Sequence, residues 1–264
     1  MWATRAYLVL SALLAGMGWG CGDLVTGLSN QPDQAASATF NSVVPAAGRT
    51  RLQVEGVTGT ITVGGDSAAS ELRIGGTRRV AAASLSEAQS RLAGLQVEID
   101  PGLDVVRVRT VQPRDTGGRE YTVNYTITLP ARMAVNVKNV TGTVRVTNIN
   151  EAVAVDLVTG DVRLERIVGA AAVSLITGSI QSQVTLQPHA AIALAVVTGN
   201  IALRIPAATS AMMTAQVVTG GATVTNLTLQ DERRTPNSLR ARLGDGQGTI
   251  TLSAVTGAIN ITGI

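Results

Sequence analysis

Five charged side chains fall around one short turn of the chain: Asp156, Asp161, Arg163, Glu165 and Arg166. Carboxylates on facing positions could act as general acid and base in cleaving a glycosidic bond. The next copy of the same segment carries Ser174, Ser179 and Gln181 at the equivalent places, and no aromatic side chain is there to stack on a sugar. Surface charges that keep a fold soluble explain these residues better, so no catalytic residue is assigned. His189, the single histidine, follows Pro188 in an expected turn. It has no second histidine for a metal pair and no Gly-x-Ser-x-Gly elbow to serve. The stretch GDGQG (Gly244 to Gly248) has the look of a phosphate-cradling or calcium-binding loop. It lacks Gly-Lys-Ser/Thr, occurs once and precedes a strand rather than a helix, so a flexible loop is expected. These readings call for no cofactor and no metal.

Composition narrows the classes further. Arginines outnumber lysines twenty to one, Lys138 being the only lysine, and the net charge is +3. Nucleic-acid binding asks for a dense basic stripe or for aromatics that stack on bases. Neither is present, and nucleic acid is not an expected partner. Hydrophobic residues make up 45% of the chain but aromatics only 2%, so the core must be built from Val, Ile, Leu and Ala in thin regular layers.

At the N-terminus, Arg5 precedes an apolar run from Ala6 to Met17 that is too short to span a bilayer. It leads to GMGWGCGD, which contains the only cysteine, Cys21. The layout is that of a secretory signal. A cysteine at the junction suits a bacterial lipoprotein signal, in which the thiol is acylated and becomes the mature N-terminus. Gly20 fits the position before it; Gly18 and Trp19 fit poorly, and ordinary cleavage nearby is the alternative. The expected divisions are a signal over 1–20, a tether over 21–36 and a folded domain over 37–264.

The elements that would position any site follow from an internal repeat. Val/Ile-Thr-Gly ends at Gly59, Gly142, Gly160, Gly178, Gly199, Gly220 and Gly257; the middle steps are 18, 18, 21 and 21 residues by subtraction. Aligned on the glycine, apolar and polar columns alternate with period two on both sides. That pattern reads as strand, corner, strand, with glycine at the corner because it tolerates positive φ. Such a unit cannot bury its apolar face alone, but stacked copies can. A meander of hairpins and a β-solenoid compete. Thr-Gly is a weak hairpin turn and the 18-residue step keeps every column in register, so the solenoid is favoured. Its equivalent side chains would stack about 4.8 Å apart. The 21-residue steps carry Pro188 and Pro206 at the opposite turn, where extra residues would loop out.

Two segments interrupt the repeat. Within the insert at 66–130, SLSE (Ser84 to Glu87) is a capping box that opens a short helix. Strand-like runs follow at Gln96 to Ile99, Val105 to Thr110 and Tyr121 to Leu129, placed to pair beside the first coil or cap its end. The second segment, 229–248, is polar and arginine-bearing and reads as a surface loop. The fold class is therefore all-β, a β-solenoid of stacked coils with a small α+β insert near its N-terminal end.

The iterated unit, the insert ending in YTVNYTITLPARMAVNVKNVTGTVRV and the terminal RLGDGQGTITLSAVTGAINITGI resemble a family of uncharacterised bacterial envelope proteins labelled "putative adhesins". The resemblance spans most of the chain after residue 40. It implies a β-solenoid, export, and surface or periplasmic placement, and it brings no catalytic residues. Two columns depart from the family. The residue before the glycine is often Asn in relatives and is always Thr here. Three before the glycine, where relatives often carry a polar residue, stand Gly56, Asn139, Leu157, Leu175, Val196, Val217 and Ala254. Next to it runs the column Val57, Val140, Val158, Ile176, Val197, Val218, Val255. Either both columns are buried at a tight corner, or Leu157, Leu175, Val196 and Val217 form an exposed apolar stripe for a partner.

The expected function is a non-enzymatic, exported structural or interaction module, adhesin-like, meeting a protein or a cell-envelope surface and held to the membrane by a lipid anchor at Cys21. An envelope-stress sensor or regulatory partner is the alternative, with a carbohydrate-active enzyme behind it. The strand ending at Ile264, if uncapped, would be an edge open to self-association. Val162→Asp is expected to cost about 3 kcal/mol or more by placing a charge in the core, and Gln181→Asp almost nothing. Equal losses of thermal stability in the two variants would overturn the inward and outward assignment.

Overall fold

In a computed structural model, residues 34–264 are described; Cys21 and the stretch read as a signal lie outside them. The elements in order are β1 (Gln34–Pro45), β2 (Arg51–Glu55), β3 (Ile61–Asp66), β4 (Glu71–Ala82) and the helix α1 (Leu85–Leu92). Then come β5 (Gln96–Pro101), β6 (Val105–Val111), β7 (Glu120–Pro130), β8 (Ala134–Ile149), β9 (Val153–Val168), β10 (Ala171–Thr185) and β11 (Ala191–Ile205). The chain ends with β12 (Ala211–Thr225), β13 (Gln230–Thr235), β14 (Ser238–Leu243) and β15 (Gly248–Gly263).

Each long strand is one coil of a β-solenoid. β8, β9, β10 and β11 pair in parallel, so Thr141, Thr159, Thr177 and Thr198 stand in one row and Gly142, Gly160, Gly178 and Gly199 in the next. Along β9, Val153, Val155 and Leu157 point inward before the corner, and Val162 and Leu164 after it. The inward parity changes across Val158 to Asp161, which is what bends one strand into two arms. A second bend follows at Arg166 and its neighbour Asn148 on β8, both at positive φ. Val162 is buried and Gln181 exposed, on opposite sides of the sheet.

The seven repeat glycines have φ between +132° and +147°, a region that L side chains rarely adopt. Space forbids a side chain as well. A Cβ on Gly160 would lie 1.8 Å from the carbonyl oxygen of Gly142, and one on Gly178 1.7 Å from that of Gly160. Each corner glycine thus rests on the backbone of the coil before it.

The insert continues the stack rather than standing beside it. β2 and β3 form the two arms of the first coil, pairing with β8. β6 adds to β2 and β5 to β6; β7 adds to β3, β4 to β7 and β1 to β4. The three runs read as strands from the sequence are β5, β6 and β7. The sequence reading contains neither β1 nor β4, and β1 begins at Gln34, inside the stretch read as tether. α1 opens as its capping box requires, with the Ser84 side chain accepting a hydrogen bond from the Glu87 amide at 3.2 Å. Glu87 in turn holds Arg91 at 2.8 Å and Arg119 at 3.0 Å, and these contacts, that of Arg119 foremost, keep its carboxyl below the usual carboxylate range. Within the core Tyr125 of β7 shares a hydrogen bond with Thr110 of β6 at 2.6 Å, and burial pushes its phenol up to about 12.

The C-terminal end corrects two expectations. The 229–248 segment is not a plain loop. It contains the hairpin β13–β14, and β14 pairs antiparallel with the first arm of β12 while burying Leu239, Ala241 and Leu243. GDGQG is the reversal after β14, with Gly244 and Gly246 at positive φ. β15 then enters between β11 and β12, pairing in parallel with both. The strand ending at Ile264 is therefore interior, not an edge. β14 occupies the far side of β12's first arm, so the returning chain takes the side that β11 would otherwise fill. Ile264 is held by hydrogen bonds to Ile205 and Ala207.

Gly160→Ala is expected to cost at least about 2 kcal/mol in strain alone. Gly221→Ala, where an added Cβ meets nothing within 4 Å, is expected to be nearly neutral. Thermal unfolding of the pair checks the corner, each kcal/mol shifting Tm by roughly 2–4 °C in a domain of this size.

Candidate functional site

The surface that could meet a partner lies along the glycine corners. The adjacent columns separate cleanly there. Leu157, Leu175, Val196 and Val217 are each 3% exposed and belong to the continuous core. The proposed stripe is thus on the wrong side of the sheet, and the alternative that both columns are buried fails too. The outward residues are their neighbours Val140, Val158, Ile176, Val197, Val255 and Val218, which are 39–66% exposed. The reason is parity. Counting inward by twos from Val155 reaches Leu157, and the turn to the second arm begins only after it.

The order of this ladder is Val140, Val158, Ile176, Val197, Val255, Val218, because β15 lies between β11 and β12. A parallel threonine row, Thr141, Thr159, Thr177, Thr198, Thr256 and Thr219, runs beside it and is exposed throughout. On the other side, the ladder borders the outward face of the first arms, where Lys138, Asp156, Ser174, Ala195 and Ser253 align. Together they form a shallow groove of about 510 Å³ with Val158, Ile176, Val197 and Val255 along one wall. Ser174, Ala195 and Ser253 are the small side chains of its floor, with Lys138 and Asp156 at the end towards β8. Asn139 takes the inward place at β8, where its side-chain amide donates to the carbonyl oxygens of Gly59 and Thr141 at 3.2 and 3.1 Å. A buried amide is tolerated there because those carbonyls satisfy it.

Of the charged cluster, Asp161, Arg163, Glu165 and Arg166 are engaged by neighbouring side chains, while Asp156 stands on the outward face of the first arm. The Asp161 carboxylate accepts from both the amide and the hydroxyl of Ser179 on the next coil. Glu165 takes two hydrogen bonds from Arg145 at 2.9 Å and lies 4.0 Å from Arg163. Arg163 reaches Gln181 at 3.1 Å, and Arg166 reaches Asn148 at 2.6 Å. Asp156 lines the corner groove, and Glu165 a separate hollow with Arg163 and Gln181. Asn124 and Asn200 repeat the Asp161 contact, accepting from the amides of Thr60 and Ala258 at 2.8 and 2.9 Å. His189 is exposed in its turn at φ 62°. Among the described residues no group of three or more His, Cys, Asp or Glu side chains gathers as a metal site would need.

The fold and this surface define a parallel β-solenoid that carries a branched apolar ladder along one corner. The chain belongs to the Toastrack DUF4097 family, whose model matches residues 86–262. Among solved structures it is similar to a "putative cell adhesion protein" from Clostridium sporogenes, at 11% identity and a TM-score of 0.46 over 87% of this chain and 100% of that one. A "putative adhesin" from Bacteroides fragilis is similar at 13% identity and a TM-score of 0.32, over 87% of this chain and 97% of that one. No curated protein matches the chain.

Leu175 and Ile176 allow a test on adjacent residues of nearly equal chemistry. Leu175→Asp is expected to destabilise by about 3 kcal/mol or more. Ile176→Asp should stay within about 0.5 kcal/mol of the parent, as surface changes do. Denaturant midpoints for the two variants read the difference directly, and similar midpoints would remove the ladder from the surface.

Proposed function

We propose that the chain is a non-enzymatic interaction module of the bacterial cell envelope, exported and held to a membrane through a lipid on Cys21, and that it works by display. The observation carrying this reading is the exposed ladder of Val140, Val158, Ile176, Val197, Val255 and Val218. Isolated surface valines are ordinary, but a continuous row on consecutive coils is a contiguous apolar strip of the kind that marks interaction surfaces. The stack keeps the strip rigid, so little conformational entropy is lost when a partner covers it. The signal-like N-terminus with Cys21 at its junction supports export and anchoring. No helix among the described residues is long and apolar enough to cross a membrane, which leaves attachment to the N-terminal segment in this reading.

The adhesive role is tested with cells producing the full chain or a Val158→Asp/Ile176→Asp/Val197→Asp variant. Retention on protein-coated surfaces under flow should fall several-fold in the variant while its melting temperature is kept. Unchanged retention would sink the role of the ladder. Cys21→Ala is expected to move the chain from the membrane pellet to the soluble fraction; a chain that stays in the pellet argues against the lipid anchor.

A further inference from the structure

A stacked sheet has ends, and a strand at an end presents unpaired amides and carbonyls to any strand that can add to it. The described residues place four segments at such ends, and three of them are guarded. β13 (QDERRT) is six residues long, fully exposed, charged at Asp231, Glu232, Arg233 and Arg234, and broken by an irregularity between Gln230 and Arg233. β5 (QVEIDP) carries Glu98 and Asp100 and ends in Pro101. The second arm of β12, beyond the reach of β14, is crossed by Arg234, whose guanidinium donates to the Ala222 carbonyl at 3.2 Å. Leu227 and Leu229 pack against the core close by.

β1 is different. It has 12 residues (QAASATFNSVVP), no charge and no glycine, and its only proline is the last residue. Among the described residues it pairs with β4 alone. Ser37, Thr39, Asn41 and Val43 face solvent, while Ala36 and Val44 are buried on the other side. Phe40 is fixed edge-on against Tyr125, with ring centroids 5.7 Å apart. A long, uncharged run with aromatic and β-branched residues has the make-up of a segment that pairs with another strand.

We propose that the free edge of β1 pairs antiparallel with β1 of a second copy, joining two solenoids end to end across a two-fold axis. The second copy fits for reasons of symmetry and charge. An antiparallel strand pair is what a two-fold axis generates from identical edges, and the resulting interface closes on itself. With the axis at Phe40, Thr39 faces Asn41 of the other copy and Ser37 faces Val43, so no charge meets a like charge. Of the three cations on β4, Arg73 is paired with Glu71 at 2.9 Å and Arg79 with Glu120 at 4.0 Å, while Arg78, opposite Ala38, donates to the Leu95 carbonyl. The pairing does not require the lipid anchor proposed above. Anchored copies would nevertheless meet more often, since twelve residues separate Cys21 from Gln34 and reach at most about 47 Å, which raises their effective concentration.

The test is sedimentation velocity of the full chain with two paired variants. Thr39→Lys/Asn41→Lys places positive charge opposite positive charge in the paired state, while both positions face solvent in the single chain. The parent should sediment as a dimer, and this variant as a monomer with an unchanged melting temperature. Val158→Lys/Ile176→Lys, on the corner ladder, should remain dimeric. A monomeric parent, or a Thr39→Lys/Asn41→Lys variant that stays dimeric, overturns the proposal. Loss of the dimer only in the ladder variant also overturns it, and assigns self-association to the corner instead. A β1 partner that is another protein's strand would show as a monomeric parent, so that outcome is covered.

Discussion

Glycine resting on the carbonyl of the glycine one coil back is the contact from which the rest of the molecule follows. Only a residue without Cβ can take positive φ in a position where the next atom outward is a backbone oxygen at most 2.2 Å from where that Cβ would be. The close approach lets each strand turn without leaving the ladder, so both arms of the inner coils stay hydrogen-bonded to the coils on either side. It also sets the register. With Gly142, Gly160, Gly178 and Gly199 in one row, every other column falls into line: valines and leucines inward, small and polar residues outward. The core then needs few aromatics. Layers of Val, Ile and Leu about 4.8 Å apart fill it.

The same corner makes outward-facing rows unavoidable. Two arms with inward residues on opposite parity need an even number of residues between the last inward position of one and the first of the next. In β9 those four are Val158, Thr159, Gly160 and Asp161, and none can point into the core. Glycine fills one place by necessity and Asp161 bonds the coil beyond it. That leaves two outward rows free to vary, and in this chain they are β-branched apolar residues and threonines. Branched side chains suit the extended backbone of a strand, but nothing in the packing asks for Val or Ile at a site that is half exposed. Their presence in six coils is a property of the surface rather than of the fold.

The two ends of the stack are handled unequally. At the C-terminal end a charged, irregular hairpin covers β12, and the last strand is drawn inside the sheet, so no long bare edge remains there. At the N-terminal end the helix α1 and the insert strands broaden the stack, with the Glu87, Arg91 and Arg119 contacts tying the helix to the loop before β7. The outermost strand, β1, carries none of the charges or bulges seen on the others. The asymmetry is chemical as much as geometric, and it separates two surfaces: a regular corner along the length of the stack and a plain edge at one end.

The amino-acid sequence by itself favoured the solenoid over a meander of hairpins, because period two around a repeated Thr-Gly calls for stacked copies to bury one face and the 18-residue steps keep equivalent columns in register. It also located the helix and three insert strands, whose capping box and alternation are local signals. Strands β1 and β4 are not legible there because Gly75, Gly76 and the run of polar residues in β1 blur their alternation; they are strands by virtue of their neighbours. The exposed column is within reach of a parity count from Val155 and Val162, yet adjacent apolar columns do not say where a strand bends, and Leu157 and Val158 look alike in that respect. Only the tertiary structure decided that β15 lies between β11 and β12. Pairing among near-identical coils is degenerate in sequence, and the side left open by the β13–β14 hairpin is what breaks the tie.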